Sequence, residues 1–358
     1  MSYAFVITGG GTGGHVFPAL AVARVLRDRG HRLLFIGTRE GMESRLVPEA
    51  AFEIDFVRIG GLKRVGVRKQ LQTALQLPVS IGAAHRILKR FQPRAVFSLG
   101  GYVAGPVMLA TLLSRIPLVV MEPNAIPGLA NRRVAHRVYR ALVGFESTRA
   151  WFPPSKCELT GVPVRPEFFA VGPKQGGTFS VLITGGSRGA RTLNRASRES
   201  WPLFSQNGAR LRIVHQAGIA EHEALAREFA GAGLQGEVVP FIQNMAKAFG
   251  EADVVVARAG AGAVNEIAAA GMASVLVPLP FAADDHQRRN AEALVEMGAA
   301  RMVLDADMNG ERLFQEIENL RANPAELEKM QTRVRPFARP GAAERAAEVL
   351  EEAASGRH

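Results

Sequence analysis

GGGTGGHVFPALAVARVL, residues 9–26, follows the short apolar run AFVIT and leads into an amphipathic stretch that ends at Gly30. Strand, glycine turn and helix in that order open a parallel βαβ unit, and Gly9-x-Gly11-x-x-Gly14 has the spacing of the dinucleotide-binding fingerprint. The pattern then returns. VITGG at 6–10 recurs as LITGG at 182–186, within FSVLITGGSRGARTLNRA from Phe179. RLLFIG, FEIDFV, AVFSL and PLVVM follow the first loop as strands; RLRIVH, GEVVPFI, ADVVVA and ASVLVP follow the second. Strands separated by helical patterns predict parallel sheets with binding loops at the carboxyl ends of their strands. The expected fold is α/β, with two Rossmann-like domains facing one another across a cleft. Residues 1–160 form the first domain, a Pro- and Gly-rich hinge spans 161–177, the second domain spans 178–340, and 341–358 is a terminal helix and tail.

Composition supports two folded domains. The 358 residues are too many for one ordinary core, and 47% are apolar against 22% charged. A lone cysteine, Cys157, excludes an internal disulfide or a multi-cysteine metal site and fits a reducing compartment. Residues 1–14 lack the basic n-region of a signal peptide. Ala95–Ser114 is uncharged and long enough to cross a bilayer, but Gly100-Gly101, Gly105 and Pro106 break it. It reads as a buried strand, a glycine turn and a helix.

Charge is unevenly divided. Residues 1–160 carry 22 Lys/Arg against 9 Asp/Glu, whereas 161–358 carry 22 against 24. Phe56–Met121 has no acidic residue and ten basic ones, among them Lys63, Arg64, Arg68 and Lys69. An anionic partner is implied for the first domain. Few aromatics are available to stack on bases and no nucleic-acid signature is present, so nucleic acid is not expected. Leu62, Val65, Val67, Leu71, Leu75, Leu77 and Val79 are interleaved with the basic residues. That mixture suits an anionic membrane surface, by headgroup attraction and shallow insertion.

Four glycine-rich strand-to-helix junctions, at 9–14, 100–101, 185–189 and 260–262, suit phosphate held at helix N-termini. A dinucleotide site also needs an acidic residue after the second strand, but Phe35-Ile36-Gly37-Thr38 is followed by Arg39. Arginine there suits only a 2′-phosphate, so an NADP-dependent oxidoreductase stays open as an alternative. No P-loop and no metal-ligand cluster is present, and neither metal nor cofactor is expected.

GGTGGHVFPALA (10–21), GGYVAGP (100–106), Met121-Glu122-Pro123-Asn124, GVPVR (161–165), GGSRGARTLN (185–194), RAGAGAVNEIAAAG (258–271) and DHQRRNA (285–291) stand in the order found in the MurG family. The chain resembles that family over nearly its whole length. The resemblance implies a GT-B, metal-independent, inverting transferase that moves GlcNAc from UDP-GlcNAc to the C4 hydroxyl of MurNAc in undecaprenyl-pyrophosphoryl-MurNAc-pentapeptide, in peptidoglycan synthesis. It implies a peripheral protein on the cytoplasmic face of the bacterial inner membrane, with acceptor bound by the first domain and donor mainly by the second. Another UDP-sugar enzyme of this fold, such as a UDP-GlcNAc epimerase, is the remaining alternative.

The resemblance also implies roles. Glu266 would accept hydrogen bonds from the ribose hydroxyls, Ser187 and its neighbouring amides would hold the diphosphate, and the Ile242 backbone would read uracil. Arg165, in the hinge, would neutralise diphosphate charge. Gln287 and Asn290, three apart on a helix, would meet the GlcNAc hydroxyls. Ala261, Gly262, Ala263, Val264 and Asn265 would line the donor segment mostly through backbone, Ala263 and Asn265 standing where the family carries hydroxyls. Thr12, Gly13 and Gly14 would contact donor sugar and acceptor, with Asn124 in the donor set and Tyr102 at the acceptor. His15, at a helix start that disfavours a cation, is the first candidate for general base, and Glu122 the second. The family's His-Glu-Gln-Asn is here Met121-Glu122-Pro123-Asn124, which removes two side chains from the acceptor loop.

Overall fold

A computed structural model describes residues 2–10, 13–59, 67–101, 103–208 and 210–356, the side chains of 67–75 and 283 aside. The chain forms two compact units, Met1–Val164 with Arg339–His358, and Arg165–Ala338.

The strands of the first unit are β1 (Ala4–Thr8), β2 (Arg32–Gly37), β3 (Ile54–Phe56), β4 (Ala95–Ser98), β5 (Leu118–Glu122), β6 (Arg140–Val143) and β7 (Cys157–Leu159). They pair in parallel in the order β3-β2-β1-β4-β5-β6-β7. Thr8 lies opposite Ile36 on one side and Ser98 on the other. The sheet therefore grows away from β1 in both directions. The loops after β1 and β4 emerge at its carboxyl edge, at the reversal of strand order where such sheets bind ligands. Helices cover both faces, so the strands are runs of apolar residues rather than alternating ones. Helix Gly13–Asp28 buries Val16, Ala19, Leu20, Ala23 and Leu26, a stripe at three- and four-residue spacing.

The last helix, Ala342–Ser355, belongs to this first unit and is not a free tail. Ala346, Val349, Leu350 and Ala353 share a core with Phe5, Ile7 and Leu26. Arg345 forks onto Glu158 at 2.7 and 3.1 Å, Glu351 meets Arg29 and His31 at 2.8 Å each, and Arg94 donates to the Ala354 carbonyl at 3.0 Å. The amphipathic stripe is plain in the sequence. Its partner lies over 300 residues away along the chain, so periodicity alone could not place it.

In the second unit β8 (Phe179–Thr184), β9 (Leu211–Gln216), β10 (Gln235–Val239), β11 (Val254–Ala257), β12 (Ala273–Leu276) and β13 (Arg301–Met302) pair in parallel in the order β10-β9-β8-β11-β12-β13. The same reversal falls between β8 and β11, below the loops that carry Gly185–Gly189 and Ala259-Gly260. Ala95–Ser114 is β4 followed by helix Ala104–Leu113, and no described helix is long and apolar enough to cross a membrane.

Candidate active site

In the first unit, β1 ends at Thr8 and helix Gly13–Asp28 begins after the glycine loop, which places His15 in the first helical turn, half-buried. Gly101, after β4, passes close by. A Cβ at Gly101 would lie 3.1 Å from the Gly10 carbonyl and 3.8 Å from the His15 ring, and its φ is +83°. Only glycine lets the two loops approach so closely. Thr12 and Tyr102 lie outside the described residues, as do Lys63 and Arg64.

Glu122 ends β5 and is 2% exposed. Its Oε1 accepts from the Asn124 N–H and Nδ2 at 3.1 and 3.2 Å, and its Oε2 from the Gly128 N–H and Asn131 Nδ2, both at 2.9 Å. Burial raises its pKa from the ordinary carboxylate value, and these hydrogen bonds offset that only in part. The carboxylate thus braces the 123–128 turn and anchors Asn124. As a general base it is poorly placed, because both oxygens are engaged within its own loop. Asn131, which also donates to the Met121 carbonyl, is a member of this arrangement that sequence reasoning missed. Glu43 is another. It is buried and accepts from the Thr38 N–H and hydroxyl at 2.9 Å. Nothing in local sequence marks either residue.

In the second unit, helix Arg191–Gln206 starts after the Gly185–Gly189 loop, with Ala190 at its cap position and no side-chain cap. Ser187 is exposed and does not cap the helix. An uncapped helix start beside the exposed Ser187 and Arg188 is suited to an anion. Gly189, at φ +73°, could carry no side chain, since a Cβ would fall 1.9 Å from the Ala217 carbonyl. The loop is seated against the end of β9.

Gln216 is the last residue of β9 and is 1% exposed. Its Oε1 accepts from the Ile242 N–H at 2.8 Å, and its Nε2 donates to the Gly186 carbonyl at 2.8 Å and to Thr184 Oγ1 at 3.2 Å. Ile242 is half-buried in the loop after β10 and not part of the core. The neighbouring His215 is wholly buried, and burial lowers its pKa to about 4. Its Nε2 lies 3.0 Å from Asn194 Oδ1, while the Asn194 amide donates to the Ala217 carbonyl, so the neutral ring donates through Nε2.

Helix Ala261–Ala270 begins at Gly260, again with no side-chain cap. Gly262, Ala263 and Glu266, at three- and four-residue spacing, form its accessible stripe. Val264 and Asn265 point into the core, and Asn265 Nδ2 donates to the Ala261 carbonyl at 2.8 Å. Their side chains are turned into the core, as is that of the buried Ala261, which leaves backbone at this end of the helix. Glu266 receives Arg165 Nη2 at 3.3 Å. Burial raises the Glu266 pKa, Arg165 counters this, and the nearby Glu167 adds to the rise. Arg165 also lies 3.4 Å from Glu167 and over the Phe168 ring.

Gln287 Oε1 accepts from the Leu279 N–H at 3.0 Å, and its Nε2 would stand 3.9 Å from a Cβ at Gly260. Asn290 is wholly buried and donates to the Ala259 carbonyl at 3.1 Å, so it supports the Ala259-Gly260 turn from beneath. The sugar contact expected of it narrows to Gln287. Among the described residues no group of three or more His, Cys, Asp or Glu side chains gathers as a metal-ligand set.

Comparison with known proteins agrees with this geometry. The glycosyltransferase family 28 N-terminal domain matches residues 5–143, and the family 28 C-terminal domain matches residues 180–349. The chain is 53% identical, over 98% of its length and 96% of the relative's, to the UDP-N-acetylglucosamine–N-acetylmuramyl-(pentapeptide) pyrophosphoryl-undecaprenol N-acetylglucosamine transferase of Solibacter usitatus. It is 42% identical to the protein of the same name from Nitrosococcus oceani, over 99% of this chain and all of that one. The crystal structure of Acinetobacter baumannii MurG superposes with a TM-score of 0.82 at 34% identity, covering 98% of this chain and 99% of that one. Two parallel-sheet units with these loops at their carboxyl edges make a GT-B fold, and the chain belongs to glycosyltransferase family 28, alongside MurG.

Proposed function

We propose that the chain transfers GlcNAc from UDP-GlcNAc to the C4 hydroxyl of MurNAc in undecaprenyl-pyrophosphoryl-MurNAc-pentapeptide, with inversion, in peptidoglycan synthesis. The observation that carries the donor half is the pairing, along one sheet edge, of an uncapped helix after Gly185–Gly189 with Glu266 on the accessible stripe of helix Ala261–Ala270. The helix start and loop amides hold the diphosphate, with Ser187 beside them. Glu266 accepts the ribose hydroxyls, and Arg165 balances its charge. Gly262 and Ala263 allow the donor to approach the helix backbone, and Gln287 reaches the sugar.

In the first unit the MurNAc hydroxyl meets the segment of Gly13, Gly14 and His15. The hydroxyl oxygen attacks the anomeric carbon as the bond to the UDP oxygen breaks, and His15 takes the hydroxyl proton. Helix N-terminal amides stabilise the charge that develops on the departing diphosphate. Glu122 holds Asn124 and the 123–128 turn in place for this step.

Membrane attachment belongs to the same reading. Val79 and Leu113 are 70% and 73% exposed, and Arg86 and Arg115 stand exposed near them in sequence. Helices Val67–Phe91 and Ala104–Leu113, which carry Val79 and Leu113, pack together, with His85 Nδ1 3.0 Å from Ser114 Oγ. A basic and apolar surface of this kind suits the cytoplasmic face of an anionic membrane. The reading is tested by product analysis after incubation with UDP-GlcNAc and a lipid-pyrophosphoryl-MurNAc acceptor. A GlcNAc–MurNAc disaccharide with inverted anomeric configuration is expected, and free GlcNAc or an epimerised nucleotide sugar would overturn it.

A further inference from the structure

We propose that Gln216 is a positioning residue that holds the diphosphate loop and the base-reading segment of the donor site in one fixed relation, and so contributes to selection of a uracil nucleotide. The inference rests on the donor reading given above. β9 lies between β8 and β10, so its final residue stands between the loops that follow both neighbours. Thr184 and Val239 are the register partners of Gln216 on its two sides.

From that position one carboxamide reaches both loops. It accepts from the Ile242 N–H at 2.8 Å and donates to the Gly186 carbonyl at 2.8 Å. The second amide proton goes to Thr184 Oγ1 at 3.2 Å, and that hydroxyl accepts from the Gly186 N–H at 3.2 Å. Carboxamide chemistry is required here. A carboxylate of the same shape accepts but cannot donate, and an aliphatic side chain does neither. Because the group is buried, water does not replace a lost partner, and the loops are freed to shift independently. A second consequence concerns how uracil is read. The Ile242 N–H is already engaged, so the base meets a backbone segment whose orientation Gln216 has set.

The test compares the full-length wild-type chain with Gln216→Glu and Gln216→Met by titration calorimetry with UDP and with ADP, together with donor and acceptor kinetics. Loss of the two donated hydrogen bonds in Gln216→Glu, and of all three in Gln216→Met, should weaken UDP binding by about tenfold or more and reduce the preference for UDP over ADP. Donor KM should rise while acceptor KM stays unchanged. A folded variant that keeps wild-type UDP affinity and preference would overturn the proposal. Amide exchange on the wild-type chain gives a second measurement that needs no variant. The Ile242 N–H should be protected without nucleotide, and rapid exchange there would also overturn the proposal. A wild-type chain with no preference for UDP would instead overturn the donor reading itself.

Discussion

Arg165 Nη2 lies 3.3 Å from Glu266 Oε1, which joins the segment that opens the second unit to helix Ala261–Ala270. The pair opposes the burial of Glu266 without cancelling it, because the carboxyl pKa still stands above its ordinary value. Glu266→Ala should weaken UDP binding by about 1.5–3 kcal/mol, the worth of hydrogen bonds to a charged group. Calorimetric titration with UDP measures this directly, and an unchanged affinity would remove Glu266 from the donor site.

The same group sets a pH dependence. In the proposed donor site the ionised carboxylate accepts both ribose hydroxyls, and the protonated form gives up an acceptor site. UDP affinity should therefore be greatest above the raised pKa of Glu266 and fall as pH drops through it, beginning above the usual carboxylate range. Glu266→Gln should bind more weakly and lose this dependence on pH. A wild-type affinity that stays flat as the pH is lowered would contradict the assignment.

His15 is assigned to the chemical step and not to nucleotide binding. His15→Ala should lower kcat by roughly 10²–10⁴-fold, the usual contribution of a general base, and leave UDP affinity unchanged. Steady-state kinetics beside UDP titration separate the two effects. A loss of UDP affinity with kcat preserved would reassign His15 to binding.

The exposed apolar residues make a separate prediction. Val79→Asp with Leu113→Asp should weaken sedimentation with anionic vesicles by about tenfold or more, since each apolar side chain gains of order 1.5–3 kcal/mol on burial. Wild-type binding should also weaken with added salt. If the double variant sediments as the wild type does, the membrane face lies elsewhere on the chain.

Much of this arrangement is legible in the sequence. The strands announce themselves as apolar runs, and the two VITGG-like turns mark corresponding positions at the carboxyl edges of the two sheets. What is not legible depends on contacts between distant segments. The sequence of helix Ala261–Ala270 does not say which side chains turn inward; burial shows that Val264 and Asn265 do. Glu122 reads as a free acid until its four hydrogen bonds are seen, two from backbone amides and two from Asn124 and Asn131 side chains. Gln216 carries no motif at all. Its meaning comes from sheet order, which brings Gly186 and Ile242 to either side of it.

The last helix is a further case, and it yields a stability prediction. Leu350 is fully buried against the core of the first unit. Leu350→Ala should cost about 2–5 kcal/mol in urea unfolding, although the residue stands eight positions from the C-terminus. A helix that did not dock would show no change.

The central claim is acceptor-dependent glycosyl transfer, and UDP release from UDP-GlcNAc tests it most directly. Release should be slow with the donor alone and rise steeply when a lipid-pyrophosphoryl-MurNAc acceptor is added, with one UDP formed per disaccharide. Release at the same rate without acceptor, or none with it, would contradict the account.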